Sequence, residues 1–417
     1  MTLIKITLIK KGVILMLKLN TEVKVLAQCN IFNPTEEHKL LRQTVREFVI
    51  NEVEPQALEY NEKEKFNISL FRKLGELGLL GLTVPIEDGG AGMDAVASVI
   101  VHEELAASDP GFALAYLAHS ILFVNNFYQN SNEKLRKKYL SKVISGEYIG
   151  AMCMTEPDAG TDVLSMKTKA IKKNGFYYIT GRKTYITNGA IDNNTPGDIF
   201  FVYAKTENDK ISSFIVEKSF KGFKLGQVLK HKLGMRSSIT AELVFDNCEV
   251  PKENLVGQEG ESLIHMMKNL EIERLTLAAI SIGIAGRALE IMMKYANERK
   301  AFNKYLKEFG QIQRYISDSY AKYMAAKTYL YLTAANIDLN KPGHRIDTDA
   351  VKLFTSTVAK EIADNAIQVL GGYGYFGEAI VERLWRDSKL IEIGGGTIEA
   401  HQKNITKDLL KYNIQIR

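Results

Sequence analysis

The spacing of apolar residues along this chain changes twice. From Pro34 to about Gly150 they recur at helical intervals. Thr35, followed by Glu36 and Glu37, reads as an N-cap with acids in the first turn. Leu41, Val45, Phe48 and Val49 then mark one apolar face. A second helix begins at Ser69, the glycine-rich segment 85–92 reads as a loop, and helices are predicted over 94–108, 111–129 and 132–145. After Gly150 the period falls to two. Short β-prone runs begin at Phe176, Thr184, Asp198, Ser213 and Glu242, separated by turns such as Asn174-Gly175, Asn188-Gly189 and Pro196-Gly197. This β block ends near Pro251. Helical spacing then returns over 260–299, 311–339, 348–370 and 397–412, four long helices that suggest a bundle.

Helices, then strands, then helices is an α+β multidomain order. It predicts an extension over 1–33, an all-α domain over 34–150, a central β-barrel or sandwich over 151–255 and a helical bundle over 256–417. Strand and helix do not alternate, which disfavours a doubly wound dinucleotide fold.

Charge first suggests a polyanionic partner, since the formal net charge is +5. Its location removes that suggestion. Lys5, Lys10, Lys11 and Lys18 stand in the first 21 residues with no acid, and the other 50 basic residues against all 49 acidic ones leave the body at +1. No nucleic-acid partner is expected. The N-terminal segment alternates apolar residues with lysine but has no arginine. It fits an extension from an upstream start, with Met16 as the true start, better than a targeting peptide. The expected location is cytoplasmic for a bacterial protein and the mitochondrial matrix for a eukaryotic one. Cys29, Cys153 and Cys248 form no CxxC pair, and the histidines form no HExxH, so neither a disulfide scaffold nor a metal site is expected. His102, Glu103 and Glu104 read as a solvated helix face. No apolar run appears long enough for an integral membrane segment.

Five segments carry candidate chemistry. Leu275–Gly286 is twelve residues without a charge, the pattern of a helix buried on all sides, and Glu271, Glu273 and Arg274 stand just before it. Burial raises a carboxylate towards neutrality and suits it to general-base work; an ordinary ion pair is the alternative. Glu271 and Glu273, two apart on a helix, point to roughly opposite sides. The segment Met152–Asp162 combines hydroxyls with a close-approach glycine, and a capped turn would look the same. Tyr185 and Thr187 would share one face of a strand, as a planar heteroaromatic ligand requires, or belong to an ordinary half-buried strand. Finally, the glycine turns 371–374 and 394–396 offer amides to an anion, though the first also reads as a helix C-cap. Thr397 can cap the last helix.

Together, over about residues 35–412, these segments resemble the acyl-CoA dehydrogenase family. The resemblance rests on Cys153-Met-Thr-Glu-Pro-Asp-Ala-Gly-Thr-Asp-Val-Leu-Ser165 and on Gln368-Val-Leu-Gly-Gly-Tyr-Gly-Tyr-Phe-Gly-Glu378 with Arg386-Asp387. Lys232–Arg236 and Glu298–Phe302 are correctly placed between them. It implies bound FAD and a homotetramer built as a dimer of dimers. It also implies an acyl-CoA substrate, short or branched, and an electron transfer flavoprotein as acceptor. It assigns flavin contacts to Met152, Cys153, Met154, Thr155 and Thr161, and to Tyr185, Ile186 and Thr187, with Tyr185 where tryptophan is usual. Arg299 and Phe302 would reach a neighbouring subunit's FAD, as would the turn Gln368, Val369, Leu370, Gly371 and Gly372. Thr397, Ile398 and Glu399 would make the closing contacts. Gly310 stands where glutamine is usual, and Gln311 is the expected substitute.

The resemblance also places the base. Many members carry it in a Tyr-Glu-Gly-Thr motif, which here reads Gly394-Gly395-Gly396-Thr397 and cannot abstract a proton. A minority place it on the earlier helix, where this chain has Glu273. Glu273 would take the α-proton while the β-hydrogen leaves as hydride. Gly395 would offer its amide to the thioester carbonyl, and its missing side chain would leave room for a branched acyl group. Thr161, Glu271, Arg274 and Gly396 would complete the substrate contacts. A long-chain dehydrogenase, an acyl-CoA oxidase or a flavin monooxygenase are the alternatives on the same fold, and a non-enzymatic helical scaffold is the remote one.

Overall fold

The computed structural model describes residues 30–339, 341 and 343–414; the expectations for residues 1–29 lie outside them. Seven helices come first: α1 (Glu36–Phe48), α2 (Glu54–Glu62), α3 (Ile68–Glu76), α4 (Ala95–Ser108), α5 (Pro110–His119), α6 (Asn126–Asn130) and α7 (Glu133–Ile144). Thr35, Asn67, Asp94, Asp109 and Asn132 cap five of them by accepting a first-turn amide, as the sequence leads one to expect of such residues. The expected extension to residue 33 is too long. Phe32 is buried and packs edge-on against Tyr331, so the folded body begins before Pro34.

The central unit is one eight-stranded sheet. Its strands are β1 (Gly150–Cys153), β2 (Lys169–Lys173), β3 (Phe176–Thr187), β4 (Ile199–Lys205), β5 (Ile211–Glu217), β6 (Phe223–Val228), β7 (Thr240–Pro251) and β8 (Leu255–Val256). The order is β6-β7-β3-β2-β4-β5-β8, and β1 pairs in parallel with β4. β4 is buried on both faces. Phe201 and Tyr203 meet the N-terminal helices, while Phe200 and Val202 join the core on the other face. A strand buried on both sides must be a continuous apolar run, which Ile199–Ala204 is.

The chain then enters α8 (Ser262–Glu298), a 37-residue helix. A two-stranded hairpin, β9 (Lys300–Ala301) and β10 (Lys304–Tyr305), leads to α9 (Gly310–Ala335), α10 (Arg345–Leu370), α11 (Val381–Ile391) and α12 (Ile398–Tyr412). By length and composition α8 could cross a membrane, but 78% of its apolar window is buried inside the protein, against α10 on one side and α4 on another. One apolar core therefore runs continuously from the N-terminal helices through α8 into the bundle.

One expectation is reversed. His102, Glu103 and Glu104 are not a solvated face; all three are buried in α4. For the two glutamates the reason is electrostatic pairing across helices, whereas burial favours the neutral form of His102, which bonds the Ser98 carbonyl of its own helix. Glu104 binds Arg46 at 2.8 Å and Glu103 binds Lys327 at 2.6 Å, while Arg42 bridges both carboxylates. The α4 segment holds two acids and no lysine or arginine, but nothing within it shows that the partners lie in α1 and α9.

Candidate active site

Glu273 sits where α8 becomes wholly apolar. It is 7% exposed, and its Oε2 has no hydrogen-bond partner among the described residues. Burial pushes its carboxyl up to about 7, with Arg274 and Lys352 pulling the other way. A carboxylate with an open oxygen and an ionisation near neutrality can exchange a proton with a bound molecule.

Its neighbours divide the remaining work. Arg274 pairs with Asp349 of α10 at 3.0 Å, and Asp349 also accepts from Nδ1 of His401 on α12 at 2.6 Å. Lys352, one turn along α10, is fully buried and donates to the Gly396 carbonyl at 2.5 Å. Arg274 Nε, Asp349 Oδ2 and His401 Nε2 are further buried atoms without a partner here, so polar valences concentrate around Glu273. Glu271 behaves differently from its expected role. Its carboxylate accepts from the amides of Gly343 at 3.1 Å and His344 at 3.0 Å, tying down the loop between α9 and α10 instead of a substrate. The opposed directions of Glu271 and Glu273 follow from helix geometry.

The turn 394–396 faces Glu273. A Cβ on Gly395 would lie 3.4 Å from Glu273 Oε1 and 2.2 Å from Leu277 Cδ1. Gly395 also has φ +66°, a conformation that L side chains adopt at a cost. Two consequences follow. A side chain on residue 395 and one on residue 273 converge on the same point, so a base can be supplied from either. The space beside Gly395 is also already filled by Leu277, which overturns the expectation that the missing side chain leaves room for a branched acyl group. The Gly395 amide donates to no acceptor among the described residues, whereas that of Gly394 donates to Leu390. Thr397 caps α12 through Ala400, while Ile398 is half-buried and Glu399 exposed in its first turn.

Across from this lie the ends of β1 and β3. Met152 is half-buried, and Asn126 and Asn269 both donate to its sulfur at 3.9 Å. Met154, Thr155 and Gly160 leave open surface, and Thr161 is exposed. Cys153 and Ile186 turn their side chains into the core of the sheet, so only their backbone can meet a ligand. The expected sharing of a strand face by Tyr185 and Thr187 does not hold as simple alternation. A bulge between Lys183 and Ile186 puts Tyr185 at φ +57°, 69% exposed, with Thr187 half-buried. Beneath the segment, Lys183 is fully buried. Its ammonium binds Glu156 at 2.8 Å and the Met154 carbonyl at 3.0 Å.

A second concavity of about 600 Å³ brings together residues far apart in sequence: Tyr295, Arg299, Val369, Leu370, Gly372 and Tyr373. The Arg299 guanidinium has no partner among the described residues. Gly371 ends α10 at φ +61°, and a Cβ on Gly372 would meet nothing. Phe302 beside it is 91% exposed, and Gln368 approaches from the last turn of α10. Gln311 is exposed in the first turn of α9, next to Gly310, around which there is open space. Among the described residues no cluster of His, Cys, Asp and Glu could hold a metal ion.

Helical domain, β-sheet domain and helical domain, with a buried carboxylate facing a glycine turn, define a class that comparison with known proteins identifies. The models of the acyl-CoA dehydrogenase N-terminal, middle and C-terminal domains match residues 35–147, 151–248 and 263–410. The chain belongs to the acyl-CoA dehydrogenase family. It is 40% identical to a mitochondrial isovaleryl-CoA dehydrogenase from Pongo abelii, over 88% of this chain and 87% of that one. It is 38% identical to a short-chain-specific acyl-CoA dehydrogenase from Clostridium acetobutylicum, over 91% of this chain and all of that one. An acyl-CoA dehydrogenase from Bacillus anthracis, solved with FAD, superposes with a TM-score of 0.85 at 34% identity, over 91% of this chain and 68% of that one.

The protein is thus a flavin-dependent oxidoreductase that dehydrogenates acyl-CoA, and its residues fit FAD. An uncommitted arginine beside free glycine amides suits a diphosphate. The open edge formed by Thr155, Tyr185 and Thr187 suits a flat ring. Sequence reasoning missed Lys352 and Lys183, because each sits in a run where a lysine looks solvent-facing.

Proposed function

We propose that this enzyme takes a short or branched-chain acyl-CoA of the isovaleryl-CoA type to its 2-enoyl-CoA, with Glu273 as the base. The observation that carries this reading is the buried Glu273 carboxylate, whose Oε2 has no hydrogen-bond partner among the described residues, against a turn that lacks a carboxylate of its own. Glu273 removes the α-proton. The Gly395 amide, which has no other acceptor, hydrogen-bonds the thioester carbonyl and stabilises charge developing there. Arg274 fixes α8 to α10 through Asp349, so the carboxylate stays in register with the turn. Thr155 and Thr161 with the Tyr185–Thr187 edge hold the isoalloxazine, and Arg299 with the 368–372 turn holds a neighbouring subunit's diphosphate. Bound FAD supplies the hydride acceptor. The protein works as a homotetramer and passes electrons to an electron transfer flavoprotein; exposed Phe302 and Tyr373 beside Arg299 support the subunit contact.

The preference for a branched acyl group is supported by the relatives named isovaleryl-CoA dehydrogenase. Anaerobic bleaching of the flavin with a panel of straight and branched acyl-CoA thioesters tests it. Isovaleryl-CoA is expected to bleach fastest. Failure with isovaleryl-CoA and success with long straight chains would move the substrate. Rapid reoxidation by oxygen alone would replace the flavoprotein acceptor by an oxidase reaction.

A further inference from the structure

Lys352 is the least expected charge in the molecule. It is fully buried, yet among the described residues its ammonium has no direct carboxylate partner. Its one side-chain hydrogen bond is to the Gly396 carbonyl at 2.5 Å. A buried ammonium with two of its three donors unused is costly, and a fold keeps one when the charge itself is used. The charges around it come from four places. Glu273 and Arg274 face it from α8, Asp349 from its own helix, Glu392 from the end of α11 and His401 from α12. Arg274 and His401 are already bound to Asp349. Glu392 is taken by Lys360 and Lys389. That leaves Glu273 as the acid whose charge only Lys352 is free to balance. Around Glu273 itself stand Arg274, Lys352 and the Tyr203 phenol of β4.

We propose that Lys352 is a positioning residue for the reaction: its ammonium pins the Gly396 carbonyl, and with it the Gly395 turn, while its charge keeps the facing Glu273 carboxylate ionised and ready to accept a proton. The inference rests on Glu273 being the base. One side chain then sets both halves of the site, the amide that meets the thioester carbonyl and the ionisation of the group that takes the proton. Burial lowers the Lys352 ammonium to about 7 and raises Glu273 to about 7, so the two compete for protons in the same range. Removing the positive charge leaves burial unopposed except by the committed Arg274.

The test uses FAD-loaded enzyme and two variants. Lys352→Gln keeps a donor for the Gly396 carbonyl but loses the charge; Lys352→Arg keeps the charge. In Lys352→Gln the acidic limb of the kcat/KM profile is expected to move up by about one pH unit or more, the scale of a lost neighbouring charge. Activity is then about fivefold lower at pH 7 and recovers at high pH, while Lys352→Arg leaves the limb at or below its wild-type position. The infrared carboxyl band that Glu273→Gln abolishes should titrate higher by the same amount, which reads the charge without turnover. Equal loss at every pH with an unmoved band would overturn the proposal and reduce Lys352 to a prop for the turn. If Lys352→Gln does not fold, a limb and band at or below the wild-type position in Lys352→Arg support the charge, and a band shifted upward there overturns it. Wild-type enzyme that no acyl-CoA bleaches would overturn the functional reading, and this inference with it.

Discussion

At the scale of single residues, the site depends on what surrounds one carboxylate. The sequence marked the region of Glu273 by charges standing just before twelve uncharged residues, but that contrast left an ordinary ion pair open, and only the resemblance to the family singled out Glu273. Lys352 was not visible. It precedes Leu353 and Phe354 in an amphipathic run, and nothing local distinguishes it from Lys360, which is half-buried and reaches Glu392. The difference arises only when the 394–396 turn folds over α10. Gly395 is equally a property of the folded state, since its need for glycine comes from φ +66° and from Leu277. Gly395→Ala is expected to destabilise the holoenzyme by about 1–3 kcal/mol, from the left-handed backbone and the overpacked contact. Thermal unfolding measures this, and adding Leu277→Ala should recover part of the loss. Unchanged stability in Gly395→Ala would show that the turn can relax away from α8.

At the scale of elements, periodicity found the long helices within a few residues and missed what tertiary pairing creates. β2 reads Lys-Ala-Ile-Lys-Lys and shows one buried residue, Ala170, so it carries no alternation to detect. β1 and β6 are short, and α11 was lost between two glycine clusters. β3 was read as two runs because the bulge at Lys183–Ile186 breaks its alternation, and that break is what turns Tyr185 outward. Lys183 secures the same region from below. With Glu156 it forms a buried pair, and it also donates to the Met154 carbonyl, while the Thr184 amide donates to that of Thr155, so the segment 154–168 is tied to β3 at three points; Glu156 closes the segment on itself by accepting the amides of Lys167 and Thr168. Lys183→Met strands a buried carboxylate and is expected to cost about 3–5 kcal/mol. It should also speed release of FAD, because the tethered segment carries Thr155 and Thr161. Calorimetry and flavin fluorescence on dilution check both. Lower stability with unchanged flavin retention would separate the pair from the cofactor site.

At the scale of the whole molecule, the order helices, strands, helices was legible because the hydrophobic period changes where the domains change. What it could not show is that α8 is a common spine, packed on α4 and α10, with one core continuous across both helical domains. That arrangement sets Glu273 of α8 against Lys352 of α10 and the turn before α12, three segments spread over more than a hundred residues. The central claim is that this assembly presents Glu273 as the proton acceptor for the acyl-CoA. The most direct measurement is single-turnover flavin reduction, mixing acyl-CoA anaerobically with wild-type and Glu273→Gln enzyme. The Gln variant is expected to remain yellow and folded while its reduction rate falls at least ~10³-fold, the upper range for loss of a general base. Reduction of Glu273→Gln at a rate near that of wild type would contradict the account.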